Sequence, residues 1–177
     1  MGADRLIRAL ALGALLLAGC AADEAALVAD ESGRVARIAD GDTLRLTDGR
    51  RIRLVQIDAP EPGSECFGTD AIDELAALAP PGGEVELERD PALDDRDRFG
   101  RLLRYVHAAD GTVNVNLVLV ERGAAAPYFF RGDRGRYADN LRDRAEAARA
   151  ARRGLWGACP AARLRPGRTL EAGAAKG

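Results

Sequence analysis

Residues 43–61 read TLRLTDGRRIRLVQIDAPE and carry the clearest strand pattern in the chain. Polar and apolar side chains alternate over residues 43–47, as they do in a half-buried strand, and a second run of strand-forming residues covers 51–57. Asp48-Gly49 stands between the two runs, and an Asp-Gly pair in that place is a strong signal for a β-hairpin. The stretch therefore predicts two paired strands, the second of which ends before Pro60.

The flanking sequence predicts further strands and helices around this hairpin. Alternation indicates strands at 34–38, 84–88 and 101–107. Apolar side chains at helical spacing indicate helices at 70–79, capped by Thr69 or Asp70, and at 136–153. Residues 113–120 alternate like a strand, yet 116–123 also fit a capped helix, and the pattern leaves both open. This order predicts an α+β fold in which the strands curl into a small barrel.

The N-terminal residues predict export. Arg5 and Arg8 precede an apolar run at 9–18, which has the length of a signal peptide and is short for a membrane span. The run ends in Leu-Ala-Gly-Cys at 17–20, which resembles a bacterial lipobox and predicts that Cys20 carries a lipid anchor. The alternative is an ordinary cleaved signal peptide with an incidental cysteine.

These features divide the chain into four parts. We expect a lipoprotein signal peptide at 1–19, a tether at 20–32, a folded domain at 33–160 and a disordered tail at 161–177. The chain has three cysteines, and assigning Cys20 to lipid leaves Cys66 and Cys159. In an oxidising compartment these two can form a disulfide; the alternative is two free thiols.

The charge balance limits how the protein can bind a polyanion. The formal net charge of the 177 residues is −2, whereas a passive nucleic-acid binder usually carries an excess of Lys and Arg. A polyanionic substrate must therefore be held by a local cluster of positive charge.

Three acidic side chains lie at predicted strand ends. Asp42, Asp58 and Glu61 converge if their strands pair, and a carboxylate cluster of this kind suits Ca²⁺ or Mg²⁺ better than Zn²⁺. His107 is the one histidine of the chain, so a multi-histidine site is excluded. The alternative for Asp40-Gly41-Asp42 is a plain turn.

Two arginines complete the candidate site. Alternation places Arg53 on the face opposite Ile52 and Leu54, where it needs a partner, and Arg101 follows a glycine. A phosphate would suit either guanidinium, and an ion pair with a nearby acid is the alternative for each. A metal, a carboxylate base and two arginines together are the groups that phosphodiester hydrolysis requires.

Three strings carry a resemblance to a known family: DGDT at 40–43, RLVQIDAPE at 53–61 and RFGR at 98–101. In this order, and with Gly-Leu-Trp at 154–156, they resemble the thermonuclease (staphylococcal nuclease-like) family. The resemblance implies an OB-fold, with a five-stranded β-barrel and three α-helices, and it favours a helix at 116–122. It also implies a phosphodiesterase that cuts DNA and RNA and leaves 3′-phosphates.

The resemblance also implies roles for individual residues, and all of them are expectations. Asp42 and Asp58 would bind Ca²⁺ together with the backbone carbonyl of Ala59, and Asp40 would lie behind them. Glu61 would be the base that activates water. Arg53 and Arg101 would clamp the phosphate.

Contacts to the nucleotide are expected from four further residues. Tyr128 matches an aromatic of the family against which a nucleotide packs, while Phe99 and Phe130 stand where the family commonly has tyrosine. Arg98 would add positive charge. Core packing is the alternative for the three aromatics. We expect a monomer; the alternative function is a catalytically weak OB-fold lipoprotein of the envelope that binds nucleic acid or protein.

Overall fold

The computed structural model describes residues 31–163 and 170–174. The predicted signal peptide, the lipidation site Cys20 and most of the predicted tether lie outside the described residues. In the part of the chain that is described, no helix is long and apolar enough to cross a membrane.

Five strands close into a mixed barrel, in agreement with the predicted α+β OB-fold. The strands are β1 (Glu31–Asp40), β2 (Thr43–Leu46), β3 (Arg51–Leu54), β5 (Glu84–Glu88) and β6 (Leu102–Ala108). The barrel order is β1-β2-β3-β6-β5, in which β3 and β6 run parallel and the other neighbours run antiparallel. A second, two-stranded sheet pairs β4 (Ile57–Asp58) with β7 (Ala126–Pro127).

Three helices pack around the barrel, together with two shorter pieces, among the residues described. They are α1 (Gly68–Leu78), α2 (Val115–Arg122) and α3 (Ala138–Ala150), with a 3₁₀ turn at Phe130–Gly132 and a single-turn α4 (Leu155–Ala158). The barrel interior and the inner helix faces form one apolar core. Its fully buried members include Leu44, Ile52, Leu54, Leu75, Leu87, Val106, Leu119 and Leu141.

The predicted hairpin is present, and its second strand is shorter than expected. β2 and β3 pair with Thr43 opposite Arg53, and Gly49 takes a positive φ of 90° in the turn. β3 ends at Leu54 because Gln56 adopts a left-handed conformation with φ 61°. Extended structure resumes in the next strand, which contains Asp58, so Arg53 and Asp58 lie on two sides of a tight turn.

Two predictions about helix ends have different outcomes. The cap predicted at Thr69 or Asp70 is wrong: α1 begins at Gly68 after Phe67, which has φ 71° and makes no side-chain capping bond. The undecided stretch is a helix, because the side chain of Asn114 accepts from the Leu117 N–H and a left-handed Gly123 ends it.

A disulfide joins Cys66 to Cys159, as the cysteine count predicts. It closes a segment of 93 residues, and a cross-link over such a span typically contributes about 2–4 kcal/mol to the free energy of unfolding. Part of the expected disordered tail is described: residues 170–174 pack beside this disulfide, where Leu170 and Ala172 are buried.

Candidate active site

The turn between β1 and β2 brings an acidic segment against the loop that follows β4. A Cβ atom on Gly41 would lie 2.7 Å from the Cβ atoms of both Ala59 and Ala71, so only glycine permits this approach. The Ala59 N–H accordingly donates to Asp42 Oδ2 over 2.9 Å. Two of the predicted site segments, residues 40–43 and 53–61, thus lie in direct contact.

Arg53 lies between two of the predicted metal ligands. Its Nε is 2.9 Å from Asp42 Oδ1, and its Nη2 is 3.2 Å from Asp58 Oδ1. Its Nη1 donates to the backbone carbonyls of Leu54 and Ile57, on the two sides of the turn. The guanidinium therefore holds the turn and both carboxylates in one arrangement, with its side chain only 12% exposed.

Two carboxyl groups at this end of the barrel are buried, and Arg53 only partly offsets the cost of charging them away from water. Burial raises the pKa of Asp42 to about 7, although Arg53 opposes the shift, and Asp40 and Asp58 add to it. Burial likewise raises the pKa of Asp58. Buried carboxyls with raised pKa values are stabilised in their charged form by an added cation, so this site favours the binding of one.

The oxygen donors suit Ca²⁺ in kind. Within the described residues, no three His, Cys, Asp or Glu side chains group closely enough to hold a metal by themselves. The set expected from the resemblance has two carboxylates, from Asp42 and Asp58, and the backbone carbonyl of Ala59, and all three offer oxygen, the donor atom that Ca²⁺ prefers. They match calcium in the kind of donor and would need further ligands, such as water, to complete its coordination.

Asp40 serves the turn itself. Its Oδ1 accepts the Asp42 N–H over 3.1 Å, as an acid in a turn does. Its negative charge also contributes to the raised pKa of Asp42 and of Glu61. The turn alternative is thus observed, and Asp40 also adds to the negative potential of the site.

Arg101 is held in place by Asp97. The Asp97 carboxylate accepts from the Arg101 backbone N–H over 2.9 Å and from Nε over 2.6 Å. Burial would raise the pKa of Asp97, but these bonds from Arg101 outweigh it and lower the pKa. Gly100, with φ 74°, allows the tight turn between the two residues.

Thr43 links Arg101 to the acidic end of the barrel. Arg101 Nη1 donates to Thr43 Oγ1 over 3.1 Å, and Thr43 Oγ1 in turn donates to Asp42 Oδ1 over 3.1 Å. A continuous hydrogen-bonded path therefore joins Arg101, Thr43 and Asp42, with Arg53 at its far end.

Both arginines have acidic partners, which was the alternative to phosphate binding. They differ in what remains free for a ligand. Three of the five N–H groups of Arg53 donate hydrogen bonds and its Nε lies against Asp42, whereas Arg101 uses only Nε and one N–H of Nη1. Arg101 therefore has the larger share of its guanidinium available to an anion.

Glu61 is exposed at the rim of the site, on a loop with its own internal bonds. The Glu61 N–H donates to Glu65 Oε2 over 2.8 Å, and the Glu65 N–H donates to the Glu61 carbonyl over 3.0 Å. Partial burial raises the pKa of Glu61, and the negative charges of Asp40, Glu65 and Asp58 add to the rise. A Cβ on Gly68 would collide with the Glu61 carbonyl, so α1 supports this loop directly.

The expected nucleotide contacts divide into two groups. Phe99 and Phe130 are 56% and 52% exposed, so core packing does not explain either. The Arg98 guanidinium lies 4.6 Å from the centre of the Phe99 ring. Tyr128 is half-buried, and its backbone N–H donates to the Gln56 carbonyl. This bond helps to hold the turn that follows β3.

Four residues of the site were missed in the sequence. Thr43 and Asp97 position Arg101, Glu65 holds the Glu61 backbone, and the Leu170 N–H donates to Asp58 Oδ2 over 2.8 Å. Asp97 stands four residues before Arg101 and Glu65 stands four residues after Glu61, so these two contacts are local in sequence. The contacts of Thr43 and Leu170 depend on tertiary structure.

Comparison with known proteins gives concordant similarities. The family described as staphylococcal nuclease homologue matches residues 51–158. An uncharacterized endonuclease of Escherichia coli O157:H7 is 44% identical over 105 residues, 58% of this chain and 64% of that relative. A micrococcal nuclease of Shigella flexneri is 35% identical over 141 residues, 72% of this chain and 75% of that relative. The chain thus spans a little less than two thirds of the Escherichia coli relative and three quarters of the Shigella one.

Proposed function

The chain belongs to the staphylococcal nuclease homologue family, and from this membership we propose that it is a calcium-dependent endonuclease that hydrolyses phosphodiester bonds. One observation carries the proposal: Asp42, Asp58, Arg53 and Arg101 are joined by short polar contacts, through Thr43, at one end of the barrel. Relatives named as endonuclease and micrococcal nuclease support the same reaction class.

The calcium ion is proposed to be held by Asp42, Asp58 and the Ala59 carbonyl, beside Asp40. When bound, it would supply positive charge to a phosphate oxygen and an ordered water. Burial raises the pKa of both carboxyls, so a cation bound beside them would stabilise their charged form.

The two arginines are proposed to bind the phosphate in different ways. Arg101 offers free N–H groups while Asp97 fixes its orientation, so it can stabilise the charge that develops on the phosphate oxygens. Arg53 is anchored to both aspartates and two carbonyls, and it offers its remaining Nη2 N–H. Its larger contribution is to hold the carboxylates of Asp42 and Asp58 in a fixed arrangement.

Glu61 is proposed to accept the proton of the attacking water. It is exposed, so water reaches it, and its raised pKa brings its basicity closer to neutral pH. Its backbone is fixed by Glu65 while its side chain remains free to move toward the substrate.

Phe99, Phe130, Tyr128 and Arg98 are proposed to contact the bases and the backbone of the substrate. Exposed aromatic rings stack on any base, which supports cutting of both DNA and RNA with little sequence preference. A binding protein of the same fold is the second candidate, favoured by the ion pairs that already occupy Arg53.

Export and a lipid anchor at Cys20 are proposed from the N-terminal sequence, and the Cys66–Cys159 disulfide is what an oxidising compartment permits. We expect fatty-acid labelling of the full chain in a bacterial host and no labelling of a Cys20→Ser variant. An unlabelled mature protein would contradict the anchor. We further propose that the protein acts as a monomer.

The products of digestion test the reaction. We expect the full chain, supplied with calcium, to cut DNA and RNA internally and leave 3′-phosphate ends. The new 5′ ends then carry free hydroxyls, so a kinase should label them without prior phosphatase treatment, whereas 3′ extension by a polymerase should require a phosphatase first. Intact substrate at high protein concentration, with retained binding, would favour the binding protein instead.

A further inference from the structure

The C-terminal residues 170–174, named here the strap, contact the candidate site from outside the matched region 51–158. The Leu170 N–H donates to Asp58 Oδ2 over 2.8 Å. Asp58 uses its other oxygen, Oδ1, toward Arg53. The two oxygens of one proposed calcium ligand are therefore assigned to different partners, one inside the site and one from the strap.

The strap also holds the loop that carries Glu61. The Cys66 N–H donates to the Gly173 carbonyl over 2.8 Å, and Glu65 pairs with Ala174 in an antiparallel bridge. Glu65 is the residue whose side chain accepts the Glu61 N–H. The strap thus reaches Asp58 and the Glu61 loop with one short run of backbone.

A small apolar cluster fixes the strap in place. Leu170 is 5% exposed and Ala172 is 1% exposed, and they pack with Leu155 and Cys159. The disulfide at Cys159 belongs to this cluster, so the same cross-link anchors the Glu61 loop and the strap's binding surface. Burial of the apolar Leu170 side chain favours this position of the short segment.

We propose that the strap is a positioning element for the site, and that Leu170 acts through its backbone N–H as a positioning residue for Asp58. The inference rests on the proposed calcium-dependent function. A hydrogen bond to the outer oxygen of a ligating carboxylate fixes the rotation of that carboxylate, and loss of such a partner typically weakens metal affinity or activity about 10–100-fold. The Gly173 contact fixes the Glu61 loop in the same way.

Four forms of the full chain test this proposal. They are the parent, a form that stops after Arg163, a Leu170→Pro variant and a control that lacks only residues 175–177. Proline at 170 keeps an apolar ring and its carbonyl but has no N–H to donate. Tb³⁺ serves as a luminescent probe of the calcium site, and hydrogen exchange over residues 57–66 is followed in the metal-free protein. Thermal unfolding curves identify a temperature at which all four forms are folded, and the other measurements are made there.

We expect Tb³⁺ affinity to fall about tenfold or more in the shortened form and in Leu170→Pro, with the control unchanged. Exchange over 57–66 should be faster in the shortened form, because the Cys66 N–H loses its acceptor. With calcium bound, kcat should fall while KM stays near the parent value. A strap that merely adds stability would spare Tb³⁺ affinity at a temperature where every form is folded.

Equal Tb³⁺ affinity and equal exchange in the parent and the shortened form would overturn the proposal. Weaker affinity in the shortened form alone, with Leu170→Pro unchanged, would overturn the role of the Leu170 N–H. The exchange measurement needs neither metal nor nucleic acid. A parent that fails to cut DNA would therefore contradict the nuclease proposal, while the exchange result still decides whether the strap holds the loop.

Discussion

Glu61→Gln reduces calcium-supported cutting of DNA by about 10²–10⁴-fold, because glutamine cannot accept the proton of the attacking water. The substitution keeps the size of the side chain and leaves the backbone bonds to Glu65 intact. Since the side chain is exposed, the free energy of unfolding should change by no more than about 0.5 kcal/mol. Initial rates on plasmid DNA and a urea unfolding curve measure the two effects.

The matched control for this change is Glu146→Gln. Glu146 is exposed on α3, so the variant alters net charge by the same amount outside the site. We expect its rate to equal that of the parent. If Glu61→Gln cuts as fast as Glu146→Gln, Glu61 is not the base, and the activation of water must be assigned to another group.

The second large effect is expected at Arg101. Arg101→Ala should lower kcat about 10²–10³-fold, because it removes the N–H groups proposed to stabilise charge on the phosphate. Arg101→Lys should recover only part of this loss, since an ammonium lacks the planar fork that binds both Asp97 and a phosphate oxygen. Single-turnover rates at saturating DNA separate this loss from weaker binding.

Arg45→Ala is the control for the loss of positive charge. Arg45 is exposed on β2, so its replacement by alanine leaves the acidic end of the barrel unchanged. A rate for Arg101→Ala that matches Arg45→Ala would contradict a role in the transition state. Comparable losses in both variants would indicate a general electrostatic attraction of DNA instead.

The fold could be read from local patterns wherever the chain follows them. The Asp48-Gly49 turn and the alternation on both sides of it predict the hairpin, and a left-handed Gly49 forms it. The start of α1 could not be read in the same way. Phe67 precedes it in a left-handed conformation, and the Glu61 backbone packs closely on Gly68, a loop geometry that helical spacing does not reveal.

The site was predictable as a set of residue types, and less so as a network. The order of the three strings indicated Asp42, Arg53 and Arg101. In the structure Arg53 contacts Asp42 directly, and Arg101 reaches Asp42 through Thr43, whose role was not predicted. No role was predicted for Asp97 from the sequence. Its two bonds to Arg101 show that it orients a cation within the site.

The tail illustrates the limit of composition as a guide. Gly, Ala and Arg dominate residues 161–177, which predicts disorder, yet Leu170 and Ala172 find a buried cluster beside the disulfide. Such a segment gains its order from a surface built by distant parts of the chain. Sequence-local reasoning therefore missed the Leu170 contact with Asp58.

The most direct test of the proposed reaction is whether DNA cutting depends on calcium. The full chain is assayed on plasmid DNA with calcium, then with excess EGTA, and again after calcium is restored above the chelator. We predict cutting with calcium, loss of cutting in EGTA and full recovery when calcium returns. Cutting at an unchanged rate in EGTA, or no cutting at any calcium concentration, would contradict a calcium-dependent endonuclease.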